Sequence, residues 1–259
     1  MNSYENLIIE ERKGYLVVKA NELIQKNRFE LSLPEQKTIA FICSMIKPKS
    51  LKEDELQLNY DFNIRDYCKV VGIDYNSGTN YTDIKNILKK LSDRSMWLDD
   101  GNGEVTVRWL AKARVNKRSG LAKIEIDRDL APYLFDLGQR FTQYQLNNIL
   151  AMKSAFSVRI YELMKSYSFQ KSKTFDIDEL KHLLMVENVK SYGNFKDFRI
   201  YVLEKAQQEI NELTDINIYY EPIFKGRKVV RVKFTIKEKS AFERAKSIAK
   251  TNIILNKTK

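Results

Sequence analysis

An internal duplication constrains this chain more than any other feature. Asn80-Tyr81-Thr82-Asp83 recurs as Asn194-Phe195-Lys196-Asp197, and the step from 80 to 194 and from 83 to 197 is 114 positions in both cases. Each copy reads as a helix start: Asn at the N-cap, an aromatic in the first turn and an acid where the helix dipole favours negative charge. Upstream, Phe62-Asn63-Ile64-Arg65-Asp66-Tyr67 and Phe175-Asp176-Ile177-Asp178-Glu179-Leu180 open two shorter helices, ending near Gly72 and near Val186. Asn63 and Asp176 are their N-caps, with Asp66 and Glu179 completing a capping-box-like pattern. Polar turn-forming linkers, DYNSGT and VKSYG, separate the short helix from the longer one in each copy.

The longer helices are amphipathic. In the first, Ile84, Ile87, Leu88 and Leu91 make an apolar stripe that leaves Thr82, Lys85, Asn86 and Lys89 outside. In the second, Phe198, Tyr201, Val202, Ala206, Ile210 and Leu213 are expected to face inward, and Lys196, Arg199 and Gln207 outward. Each then leads into β-branched alternating strands. The first pair is expected at Glu104 to Trp109 and Leu121 to Asp127, joined through AKARVNKRSG. The second is expected at Ile216 to Phe224 and Val229 to Ile236, joined by Lys225-Gly226-Arg227-Lys228. Helices followed by a hairpin with a basic tip, twice over, predict an α+β fold of two tandem winged-helix domains (helix-turn-helix plus β-hairpin wing) related by internal duplication. The divisions expected are an N-terminal arm over 1–14, winged-helix domain 1 over 15–137, winged-helix domain 2 over 138–239 and a basic C-terminal tail over 240–259. That tail reads either as a frayed helix or as a disordered arm.

With 259 residues, 43% of them hydrophobic, the chain can build two cores. A net charge of +11 favours a polyanionic partner, nucleic acid first. The longest apolar run, Thr38 to Ile46, is too short to cross a membrane and reads as a buried helix. The N-terminal residues carry acids and lack a signal pattern, which places the chain in the cytoplasm as an expectation. Cys43 and Cys68 sit in apolar surroundings and read as small core residues. One histidine, His182, and two distant cysteines do not supply the usual zinc ligand sets or the paired histidines of a nicking enzyme. His182 reads as a surface or boundary residue. No Gly-rich loop with its Lys-Ser/Thr is present, and Asp99 and Asp100 read as turn residues. No catalytic residue, metal or cofactor is expected.

Further stretches carry a resemblance. Asn21-Glu22-Leu23-Ile24 is followed by Leu31 to Lys37; Ile124-x-Ile126 is followed by Leu130-Ala131-Pro132-Tyr133-Leu134 and Phe141-Thr142-Gln143-Tyr144. In the second half come Lys153-Ser154, Ser157 to Leu163, Ala206-x-x-Glu209-Ile210-Asn211, Thr214-Asp215-Ile216 and Gly226-Arg227-Lys228-Val229. Together, over about residues 15 to 237, these resemble the iteron-binding initiators of theta-replicating plasmids, the RepB/RepE-like proteins. The loop from Lys47 to Glu55 is less distinctive. The resemblance implies a protein that binds directly repeated double-stranded DNA at a plasmid origin as a monomer and represses its own promoter as a homodimer. A host initiator and the replicative helicase are its further candidate partners.

Two helix-turn-helix units on one chain can occupy successive major grooves about 10 base pairs apart. Base contacts are expected from Thr82, Lys85, Asn86, Lys89, Lys196 and Arg199. Phosphate contacts are expected from Arg114, Lys117, Arg118, Lys225, Arg227 and Lys228 at the wings, and from Lys153, Ser154 and Arg159 beside the second unit. For Arg159 an ion pair at the domain interface is the other reading. Tyr81 and Phe195 are expected to staple the core. A winged-helix transcriptional regulator and a DNA-nicking enzyme stand as the alternatives.

Overall fold

A computed structural model describes residues 11–46, 57–73, 80–99, 103–135 and 140–257. Residues 1–10 of the arm expected over 1–14, the loop from Lys47 to Glu55, the DYNSGT turn, Asp100 and the side chain of Asp99 lie outside the described residues. After β1 (Leu16–Ala20) and the short α1 (Asn21–Gln25), the first unit sets three helices in sequence: α2 (Leu33–Cys43), α3 (Ile64–Val71) and α4 (Asn80–Asp93). The apolar run becomes α2. Its start is fixed by a reciprocal capping box between Ser32 and Glu35, with Pro34 in the first turn. Phe41 lies in its last turn, 1% exposed, meeting Phe62 and Tyr67 edge-on at 5.3 and 5.1 Å. The Tyr67 hydroxyl is satisfied by Thr38 at 2.7 Å, so the ring is buried without an orphaned polar tip. Truncating Phe41 to Ala removes the ring that holds α2 and α3 together. The expected cost is about 3–5 kcal/mol in urea unfolding; a loss below about 1 kcal/mol would mean that the site collapses and refills.

Asn63 caps α3 by accepting the Arg65 N–H at 2.8 Å, and Gly72 ends the helix in the left-handed conformation (φ 76°) that glycine adopts without strain. Asp176 has extended N-cap backbone before the matching helix, α7 (Ile177–Leu183), but its side chain makes no capping bond. Phe62 and Phe175, each just before an N-cap, belong to strands that the sequence reading did not include. They lie on β2 (Asn59–Asn63) and β8 (Ser172–Asp176), short strands with one buried residue each, too little alternation for a strand signal.

Those two strands complete the wings. In the first unit, β5 (Leu110–Asn116) and β6 (Leu121–Ile126) join β2 in the order β2-β6-β5; in the second, β9 (Ile216–Lys225) and β10 (Lys228–Glu238) join β8 in the order β8-β10-β9. The same strand order in both sheets is the structural counterpart of the sequence repeat. The first hairpin differs from the expected one. The strand expected at 104–109 is β4 (Glu104–Arg108), which pairs with β3 (Ser95–Asp99) in a separate hairpin inserted after α4. The partner of β6 is β5, inside the stretch read as connector. An irregularity between Leu110 and Lys112 breaks the alternation there, which hides the strand in the sequence.

The second long helix begins as α8 (Phe195–Phe198), passes through a π-helical turn over Arg199–Glu204 and continues as α9 (Lys205–Leu213). A widened turn changes the phase of the side chains within it. Phe198, Val202, Ala206, Ile210 and Leu213 are buried as expected, but Leu203 is buried too, while Tyr201 is 60% exposed and does not face the core. The expectation for Tyr201 assumed an unbroken 3.6-residue period.

The units share a seam. β7 (Phe141–Gln145) pairs antiparallel with β1, so the boundary expected between 137 and 138 falls between two strands of one small sheet. α5 (Asn147–Leu150) and α6 (Ala155–Ser166) follow. Across this seam Lys19 pairs with Glu162 at 2.7 Å, both side chains 4% exposed, and the Tyr144 hydroxyl donates to the same carboxylate at 2.5 Å. The C-terminal segment is neither frayed nor a free arm: it forms α10 (Ala241–Lys257), packed on α5 and α9. Cys43 and Cys68 are free and buried, and burial pushes their thiols up to about 11 and about 12.

Candidate nucleic-acid interface

The exposed side of α4 carries Thr82, Lys85, Asn86 and Lys89. Their i, i+3, i+4, i+7 spacing makes one stripe. Beneath it Ile84, Leu88 and Leu91 are buried, so the helix rests on the core by one face and offers the other outward. Lys89 pairs with Asp93 one turn on, both well exposed, a contact weak enough to yield to a phosphate or base. Tyr81 is half-buried and its hydroxyl donates to the Val115 carbonyl at 3.3 Å, tying the helix start to β5. Phe195 is likewise packed against the core. The N-cap expected at Asn80 falls on a residue that is itself helical and whose side chain is outside the described set.

In the second unit Asn194 caps α8, accepting the Lys196 N–H at 2.9 Å. Lys196 and Arg199 are exposed, and Arg199 lies 3.4 Å from Glu204 across the π turn. A cleft of about 1260 Å³ separates this helix from the wing, with Lys196, Arg199, Glu204, Phe224, Arg227 and Lys228 among its lining residues. Lys225, Gly226, Arg227 and Lys228 form the tight turn, Gly226 taking φ 62° at the first central position of a two-residue loop. The first wing tip is a turn over 117–120, with Arg114, Lys117 and Arg118 all exposed. Helix stripe and wing together present positive side chains on two adjacent elements, a surface suited to a groove and its flanking phosphates.

Three residues expected beside the second unit behave differently. Arg159 is 4% exposed: its guanidinium donates to the Asn27 carbonyl at 2.8 Å and lies 4.5 Å from the Phe29 ring centroid. It is a seam residue and cannot reach a phosphate from there. The interface location of the other reading is found, with a carbonyl and a ring as partners in place of an ion pair. Ser154 is 8% exposed, and its N–H, like that of Lys153, donates to the Glu209 carboxylate, at 3.3 and 2.9 Å. The start of α6 is thus filled by an internal anion. Ser154 is corrected to a scaffold position, and only the exposed Lys153 side chain remains available.

The same geometry gives the motif residues structural roles. Glu209 caps α6; Asn211 exchanges two hydrogen bonds with the Ile218 backbone; Asp215 accepts from Tyr161 at 2.8 Å and Lys165 at 2.6 Å. Half-buried Lys37 donates to the Leu150 carbonyl, and burial pushes its ammonium down to about 8, against a smaller upward pull from Glu209. A lysine whose folded value is lowered binds fewer protons than the unfolded chain between about 8 and 10.5, so stability rises with pH across that window. Lys37→Met therefore raises the urea midpoint below pH 8, and the gain shrinks as pH climbs toward 10.5; a gain independent of pH would exclude this cause. His182 is at the surface, 3.3 Å from Glu187, which also pairs with Arg28 of the first unit.

Basic residues on the wing strands were missed. Lys112 and Lys123 flank Arg114 on the first wing, and Arg231 and Lys233 are exposed on β10. Their alternate spacing within strands, Lys112-x-Arg114 and Arg231-x-Lys233, is the signal that could have found them.

Two winged-helix units in one chain, each with an exposed basic stripe on its third helix, define the class: a tandem winged-helix protein. Comparison with known proteins narrows it. Residues 16–165 match the family model described as initiator replication protein, WH1, and residues 176–236 match initiator Rep protein, WH2. The chain belongs to the initiator replication protein family. It is 24% identical over 210 residues to a replication initiation protein of Escherichia coli, the match covering 78% of this chain and 64% of that protein, and so less than two thirds of its length. It is 23% identical over 223 residues to an uncharacterized 27.6 kDa protein of Escherichia coli, covering 80% of this chain and 90% of that one. Among solved structures it resembles the Pi initiator protein in complex with iteron DNA, with a TM-score of 0.70 and 20% identity over 88% of this chain and 99% of that chain, which supports the fold.

Proposed function

We propose that this chain is a sequence-specific plasmid replication initiator that binds directly repeated origin sites in double-stranded DNA, one monomer to each repeat. The observation that carries the reading is the pairing, in both units, of an exposed basic recognition stripe with a basic wing tip. Thr82, Lys85, Asn86 and Lys89 read one major groove and Lys196 and Arg199 the next, arginine and lysine suiting guanine edges and asparagine adenine. Arg114, Lys117, Arg118, Lys225, Arg227 and Lys228, with Lys153, hold phosphates and set register. Membership of the initiator family supports the replication role, as does the fold shared with the Pi initiator protein, whose crystal structure is a complex with iteron DNA.

Binding energy spent on bending clustered repeats opens the adjacent duplex, a scheme in which no step requires ATP hydrolysis. As a homodimer the protein represses its own promoter, and in the cytoplasm it hands the opened origin to the host initiator and replicative helicase. The test uses the intact protein and two duplexes, a direct-repeat site selected from a random-sequence pool and its shuffled counterpart, titrated at several salt concentrations. The selected repeat should bind at least about 10³-fold more tightly, with steep salt dependence on both. Equal affinity for the two would remove sequence-specific recognition.

A further inference from the structure

The C-terminal helix α10 lies beyond both matched family segments, which end at 165 and 236. Its first turns are fixed to the second unit. Buried Lys239 donates to the Asn211 carbonyl at 2.7 Å, the Thr214 carbonyl at 2.9 Å and the Ser247 hydroxyl at 2.9 Å. Ser240 and Glu243 cap each other's N–H groups, and Lys250 pairs with Glu212 of α9 at 2.8 Å. The helix then crosses α5, in the connection between the units, with Thr251 fully buried.

Its last turn reaches the first unit. Leu255 is 3% exposed and sits against Gly72, so closely that a Cβ at Gly72 would come within 2.6 Å of the Leu255 Cδ2. Gly72 ends α3, the helix that precedes recognition helix α4. A single rigid helix is therefore anchored on one helix-turn-helix at its start and on the other at its end. Two recognition elements joined by a rigid spacer accept a narrow range of site separations, whereas a flexible joint accepts many.

We propose that α10 is a strap that selects the spacing and rotational phase of the two DNA half-sites, with Leu255 against Gly72 as its latch. This rests on the reading that both recognition helices bind one duplex. The probe is the pool-selected repeat, with none to five base pairs inserted at its centre, and each half-site alone. Affinities are measured for the native chain, for Leu255→Ala and for a chain ending at Ala249, which keeps the anchor from Lys239 to Ser247. Thermal melts establish that each variant is folded.

The native protein should lose affinity steeply with the first insertions. Both variants should bind each half-site alone as the native chain does, bind the uninserted site at least about tenfold more weakly, and show a flattened spacing profile. Spacing profiles in both variants as steep as the native one would overturn the strap while leaving the two-groove reading intact. A native protein indifferent to the second half-site would overturn that reading and the strap with it.

Discussion

Glu162→Ala will destabilise this protein by about 3–5 kcal/mol in urea unfolding, because it leaves a lysine buried without its counter-ion. Lys19 on β1 and Glu162 on α6 have side chains only 4% exposed, and the Tyr144 hydroxyl on β7 shares the same carboxylate oxygen. Burial alone would raise the Glu162 carboxyl, but the Lys19 ammonium, the Tyr144 hydroxyl and nearby Arg159 hold it below the usual carboxylate range. A carboxylate with a lowered folded value contributes stability above its unfolded value and loses it as pH falls through the folded one. The variant should therefore lie closest to the native protein in acid. The double change Lys19→Met with Glu162→Leu should recover part of the loss, since apolar groups replace the buried pair at little cost while the Tyr144 hydroxyl is left without its acceptor. If Glu162→Ala and the double variant unfold at the same urea concentration, the orphaned charge is not the cause.

The second large effect separates base reading from phosphate holding. Arg199→Ala should weaken binding to the selected repeat by about 1–3 kcal/mol and leave binding to shuffled DNA almost unchanged. Its present partner, Glu204 at 3.4 Å, is half exposed and holds it weakly, so DNA can take it over. Arg227→Ala, at the wing tip, should lower affinity for both duplexes alike and reduce the salt slope by about one. Gel shifts at several salt concentrations read both quantities; equal losses on the two duplexes for Arg199→Ala would reject its role in sequence recognition.

The sequence disclosed what depends on local periodicity and withheld what depends on pairing at a distance. The stripes of α4 and α8–α9 and the tight turn at Gly226 follow from spacing and cap residues that act within a turn or two. The wing strand β5 escaped because basic residues and an irregularity near Lys112 blur its alternation, and β2 and β8 because each buries a single residue. Tyr201 was placed inside because a π turn changes the helical phase without a composition signal. Arg159 and Ser154 looked like phosphate ligands by residue type, and only the fold shows that Asn27, Phe29 and Glu209 already occupy them. The C-terminal helix carried too mixed a pattern to reveal that its two ends touch different units.

In the proposed complex one chain places both recognition helices in grooves of the same duplex. Hydroxyl-radical footprinting of a single bound monomer on the selected repeat measures this directly. The result predicted is two protected patches on one face of the DNA, about 10 base pairs apart, with Lys85→Ala weakening one patch and Arg199→Ala the other. One patch a single turn long, weakened alike by either substitution, would contradict it.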